Sequence, residues 1–186
     1  MRPGDTAGVM RARFPLDYDR TVKSRLYLET TIPSYLTSRP SRDLVIAGHQ
    51  QITREWWERR RHHFQIYLSQ LVIDEVSAGD PAAARERLKT LTGLPLLDVT
   101  HEASELASRI VDSGKIPRKA AADAAHIAIA SVHGMVMTWN CAHIANAANA
   151  RALARICREH GCDCPCHPHT GGTHGRIAYE QRSYRR

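Results

Sequence analysis

Four short apolar runs punctuate the chain, and the stretches between them carry apolar residues at helical rather than alternating spacing. The runs Arg25–Leu28 (RLYL), Phe64–Leu68 (FQIYL), Leu94–Val99 (LPLLDV) and Met135–Thr138 (MVMT) are predicted strands. The longer stretches are predicted helices. One spans Asp43 to about His62, capped by Ser41 and patterned by Val45, Ile52 and Trp56. A second runs from Gln70 to Ala78 with Ser69 as its candidate cap, and a third from Pro81 to Leu91 after the stop at Gly79-Asp80. Thr100 caps a helix that reaches Ser113 and is closed by Gly114. Ile116-Pro117 opens the next, which runs to His133-Gly134, and the last spans Ala145 to His160 before Gly161. Thr37–Arg42 (TSRPSR) reads as a turn.

Strands that alternate with helices imply crossover connections and a parallel sheet covered on both faces, so the fold class is α/β. A chain of 186 residues most simply makes one domain with a sizeable core. Residues 1–24 scatter Gly, Pro and charge without a period and read as a poorly ordered extension; 25–161 hold the domain; 162–186 read as an atypical, disordered tail. No apolar run approaches a membrane span and the opening residues are polar and basic, so the expected setting is the cytoplasm, with no membrane partner.

Charge changes this picture at the ends only. The net charge is +7, of which residues 1–25 supply +3 and residues 151–186 supply +4, while the middle holds thirteen charges of each sign. Basic ends attract nucleic acid electrostatically, and solvated tails have the same composition. Of the five cysteines, Cys162, Cys164 and Cys166 fall in GCDCPCHPHT, whose thiolate and imidazole groups are of the kind zinc takes, although the spacing fits no common zinc module. No glycine-rich phosphate loop is present.

The candidate chemistry gathers where such a sheet ends its strands. Glu29 follows the first strand, Glu75 lies on the helix after the second, Asp123 on the helix before the fourth, and Asn140 just after that strand. Three carboxylates and an amide oxygen form a hard, all-oxygen set that suits Mg²⁺ or Mn²⁺, and a cation is what makes close carboxylates tolerable. Such a cluster can activate water at a phosphodiester. Taken singly, Glu75 reads equally as an exposed helix residue, Asn140 as the anchor of an Asx turn and His143 as a cap. Asp123 is harder to explain away, because it interrupts AAADAAHIAIA, a face expected to be buried. Asp74, about 100° from Glu75 around its helix, is expected on the surface.

The stretches YLETTIPSYL, VIDEVSAGD, AAADAAHIAIA and TWNCAHIANA together resemble the PIN-domain family over about residues 25–160. The resemblance is nearest to the VapC-like branch among type II toxin–antitoxin ribonucleases. It implies a three-layer α/β/α sandwich with a central parallel sheet, and a Mg²⁺- or Mn²⁺-dependent endoribonuclease that hydrolyses RNA. It further implies a homodimer held off by a cognate antitoxin protein. Carried over by position, Glu29, Glu75 and Asp123 match the metal-holding acids and Asn140 the fourth catalytic position. Thr31 matches the hydroxyl two residues after the first acid, and His143 belongs to the branch motif. Glu29 stands where most PIN domains have Asp, HGMVMTWN is shorter than its counterparts, and the tail after Gly161 does not resemble the family's closing strand. The alternative is a catalytically weakened PIN-like binding protein without nuclease activity; a third reading is a zinc module built on the Cys/His tail.

Overall fold

The computed structural model describes residues 23–135 and 147–165. The predicted strand beyond Met135, Asn140, His143, Cys166 and both chain ends lie outside the described residues. Three parallel strands, β1 (Ser24–Tyr27), β2 (Phe64–Ser69) and β3 (Leu96–Leu97), form a sheet in the order β1-β2-β3. The register sets Tyr27 beside Tyr67 and Leu68 beside Leu96. One bond beyond each ladder extends it: Leu28 N–H to Tyr67 O (2.9 Å) and Leu68 N–H to Pro95 O (3.0 Å). Consecutive strand residues point to opposite faces, and Leu26, Tyr27 and Leu28 are all fully buried. Both faces of this strand are therefore covered, as a parallel sheet requires.

Turn chemistry accounts for most of the helices. They are α1 (Thr31–Thr37), α2 (Leu44–Arg59), α3 (Gln70–Ser77), α4 (Pro81–Leu91), α5 (His101–Asp112), α6 (Ala121–Val132) and α7 (Ala147–Glu159). Asp80 and Thr100 accept from the backbone N–H groups of Ala83 and Ala103 and so cap α4 and α5 as their sequences predict. Gly114 and Gly134, which follow α5 and α6, take φ of +70° and +60°, the left-handed conformation that ends a helix without a Cβ clash.

The structure departs from expectation at four points. The α2 cap is Asp43, whose Oδ1 accepts from Val45 N–H (2.9 Å) and Ile46 N–H (3.0 Å); Ser41 Oγ only braces Asp43 N–H, at 3.1 Å. Val45 and Ile52 share the helical period of Trp56, but the inner face of α2 is Gln50, Thr53 and Trp56. The first turn overhangs the core, leaving Leu44, Val45 and Ile46 exposed, because burial depends on where the neighbouring elements end as well as on period. Gln50 is tolerated inside because its amide accepts from Ser41 N–H (2.9 Å) and donates to Ser38 Oγ (2.7 Å) and Arg39 O (3.0 Å). Finally, α1 is a helix that the sequence reading passed over; Pro33 sits in its first turn, where its missing N–H costs nothing. The third strand is also much shorter than its apolar run, and Leu96 is half exposed.

One continuous core runs through these elements. It includes Leu26 and Leu28 of the sheet, Val72 and Val76 of α3, Leu106 and Ile110 of α5, Ile127 and Ile129 of α6, and Leu153 and Cys157 of α7. Helix α6 packs against α5, and α5 against α7, so the helix that carries Asp123 is clamped among apolar neighbours. Packing continues past Gly161, since Cys164 is buried in the same core. Among the described residues no helix is long and apolar enough to cross a membrane.

Candidate functional site

The site begins where β1 ends. Glu29 is 1% exposed, an unusual depth for a carboxylate. Its Oε2 accepts from Thr31 N–H (2.9 Å) and Thr31 Oγ1–H (2.7 Å), so Thr31 orients Glu29, as its predicted supporting place implies. Its Oε1 has no hydrogen-bond partner, and no other buried side-chain polar atom among the described residues shares that condition. Burial pushes the Glu29 carboxyl up to about 7. The two bonds from Thr31 and the influence of His126 work against the rise, while the negative charge of Asp123 adds to it.

Glu75 is treated differently. Its Oε2 accepts from Thr30 Oγ1–H (2.8 Å) and lies 3.0 Å from His126 Nε2. The bond from His126, helped by that from Thr30, holds its carboxyl below the usual range despite partial burial. The Glu75 side chain is 31% exposed and Glu29 is 1% exposed, so of the two acids Glu75 is the one solvent reaches, at the mouth of the site. Asp74 is exposed and occupied by Gln70 Nε2–H (2.8 Å), as its angle on the helix predicts.

Asp123 lies half-buried in the first turn of α6, and His126 follows three residues later on the same helix face. His126 is 1% exposed. Its Nδ1 lies 2.8 Å from the Tyr27 hydroxyl, which in turn lies 2.7 Å from Ser69 Oγ. Ser69 occupies the N-cap position of α3 without capping it, because its hydroxyl is turned to Tyr27. The β1–β2 register explains the pairing: Tyr67 is beside Tyr27, and Ser69, two residues on, faces the same side. Burial pushes the Tyr27 phenol above its ordinary range, with the charges of Glu75 and Glu29 adding to the rise, so it remains a neutral hydroxyl.

The structure thus brings Glu29, Thr31, Glu75 and Asp123 into one neighbourhood; Asn140 and His143 lie outside the described residues. Sequence reasoning missed Tyr27 and His126. His126 left a signal in its i, i+3 spacing from Asp123 on an otherwise apolar face. Tyr27 left none, since its partners come from strand register and from a helix about a hundred residues away.

A divalent cation can be tested against these side chains. Among the described residues no group of three His, Cys, Asp or Glu side chains is arranged to hold a metal. Mg²⁺ asks for less: it keeps several waters and is bound through one or two carboxylates. Glu29 and Asp123 offer hard oxygen donors of the kind that cation takes, and Glu29 adds an unpartnered buried oxygen on a carboxyl whose charge burial disfavours. Glu75, predicted with them, is already engaged by His126 and Thr30.

The described cysteines make a second buried cluster. Cys162 Sγ lies 3.4 Å from Cys157 O, and Ser131 Oγ lies 3.5 Å from Cys157 Sγ. Hydrogen bonding with Cys164 and burial push the Cys157 thiol far up, and burial pushes Cys162 to about 12. None of the three is in a disulfide. An open cleft of about 290 Å³ adjoins them, lined by Arg158, Gly161, Cys162 and Asp163 and by none of the site's acids.

Set against family models, curated proteins and solved structures, the chain matches none.

Proposed function

We propose that the chain is a metal-dependent endoribonuclease of PIN-like three-layer architecture, the toxin of a type II toxin–antitoxin pair. The observation that carries the reading is the buried, unpartnered Oε1 of Glu29 beside the charge of Asp123. An acceptor left unpaired at this depth costs about 1–3 kcal/mol, more for a charged group, so it calls for a ligand that restores the bond. Glu29 and Asp123 would hold Mg²⁺ or Mn²⁺, with Asn140 as the fourth predicted contact. The cation would supply Lewis acidity at a phosphodiester and a more acidic bound water. Thr31 keeps Glu29 aimed, and Glu75, half in solvent, orients water or the RNA backbone. The basic chain ends add electrostatic attraction for RNA. A homodimer and a cognate antitoxin belong to the same proposal and rest on the sequence resemblance.

RNA cleavage with and without Mg²⁺ or Mn²⁺, in wild type and Asp123→Ala, tests it. Metal-dependent cleavage should fall by about 100-fold or more in the variant, as when a group stabilising transition-state charge is removed. Equal activity in the two proteins would sink the reading.

A second reading draws on Glu75, whose carboxylate is taken up by His126 and Thr30 and among the described residues joins no three-ligand group. A PIN-like protein with so weakened an acid set would bind RNA without cutting it. A gel shift by the wild type, with intact RNA recovered in both metals, would select that reading.

A further inference from the structure

A hydrogen-bonded chain of side chains runs from the sheet to the mouth of the site through Ser69, Tyr27, His126 and Glu75. Its members come from β2, β1, α6 and α3, so it ties four elements together at one place. The first three are buried, and only Glu75 meets solvent. Protonation can be followed along it. An ionised carboxylate only accepts, so the hydrogen between His126 and Glu75 sits on Nε2. When Nδ1 is a lone pair, Tyr27 donates to it and Ser69 donates to Tyr27. When Nδ1 carries a hydrogen, those two bonds reverse and the Nε2–H bond to Glu75 is unchanged. Either way every link is satisfied, and each bond polarises the next.

We propose that His126 is a positioning residue: anchored from behind by Tyr27, it fixes the Glu75 carboxylate at the mouth of the site. Both hydrogen bonds to Glu75, from His126 and from Thr30, land on Oε2. Oε1 takes part in neither bond, on a side chain that solvent reaches. A carboxylate on a flexible side chain at a helix surface would otherwise sample several rotamers. Pinned from two sides, it meets water or RNA in one orientation, which is what second-layer partners of a site supply. The kinetic part of this inference rests on the ribonuclease reading above; the hydrogen-bond part does not.

The test has two arms. Nitrogen NMR of the imidazole in the full-length wild type should show a protonated Nε2 at neutral pH, with its signal shifting in Glu75→Ala. An unprotonated Nε2, or no response to Glu75→Ala, overturns the proposal whether or not the protein cuts RNA. In the second arm His126→Gln retains a donor near the Nε2 position, while His126→Asn retains a group near Nδ1 and loses the reach to Glu75. At matched thermal stability, kcat should stay within about 10-fold of wild type in His126→Gln and fall about 10–100-fold in His126→Asn, with KM unchanged in both. Equal losses in the two variants at equal stability would mean that His126 acts only as a packing residue. Absence of cleavage by the wild type itself counts against the ribonuclease reading, and the NMR arm then decides the role of His126 alone.

Discussion

Two regions of this molecule bury ionisable groups, and they do so to opposite ends. Around the buried Cys157 and the half-buried Cys162 the groups are thiols, pushed up until they stay neutral at any ordinary pH. A neutral buried thiol behaves as a small hydrophobe and is chemically quiet. Around Glu29 the buried group is a carboxylate brought to about 7, where charged and neutral forms compete. One of its oxygens is left without a partner. An open cleft lies beside Cys162, and among the described residues the unmet acceptor lies at the acids. Space alone therefore does not mark a site; a polar group that folding has left unpaid does, because its cost persists only where something else offsets it.

The largest effect that can break this contrast belongs to Glu29. Its folded value of about 7 lies above the ordinary 4.5, so the folded protein holds the proton more tightly than the unfolded chain. Stability should then be greatest below pH 4.5 as far as this group is concerned, fall as pH rises, and level off above about 7. The loss is on the order of 3 kcal/mol, from the shift in pKa at about 1.36 kcal/mol per unit. Glu29→Gln should remove that slope, so urea unfolding from pH 4 to 8 should show the variant gaining on wild type toward high pH. Metal-dependent RNA cleavage should be lost in the same variant. A wild-type slope of the other sign would mean that Glu29 is not the buried, unsatisfied acid described here.

A smaller effect is expected at the thiols. Cys157→Ala deletes one buried sulfur and should cost about 1 kcal/mol or slightly more, read as a lowered urea midpoint at unchanged m-value. RNA cleavage at matched folded fraction should be unaffected. A native-state thiol reagent should label Cys162 slowly and Cys157 only on unfolding, given their burial and raised pKa values. Rapid labelling of Cys157 would erase the contrast between the two regions.

The smallest effect is on the acid side. Glu75 is held below its ordinary range, so its contribution is present above that range and lost as pH falls through the folded value. Glu75→Gln should flatten that acid limb only slightly, because water reaches nearly a third of the side chain and screens it. An acid limb left wholly unchanged by the substitution would assign it to another carboxylate.

What the sequence determined by itself were features set by neighbours along the chain. Asp80 and Thr100 cap helices because the orphan N–H groups lie three residues on, and Gly114 and Gly134 end them because only glycine takes that backbone freely. The parallel sheet was legible from the alternation of strands and helices. Asp123 stood out as a carboxylate on an apolar face, and Thr31 was placed beside Glu29 by a separation of two residues. Tertiary structure decided the rest. The overhang of α2 depends on where its neighbours stop, so Val45 is exposed despite its period. Ser69, read as a cap, turned to Tyr27 because strand register delivered a better partner. The engagement of Glu75 and the orphaned oxygen of Glu29 arise because α6 is packed where His126 reaches one acid and leaves the other unserved. Which of two neighbouring carboxylates receives the available donor is a matter of ångströms in three dimensions, and no one-dimensional pattern carries that distance.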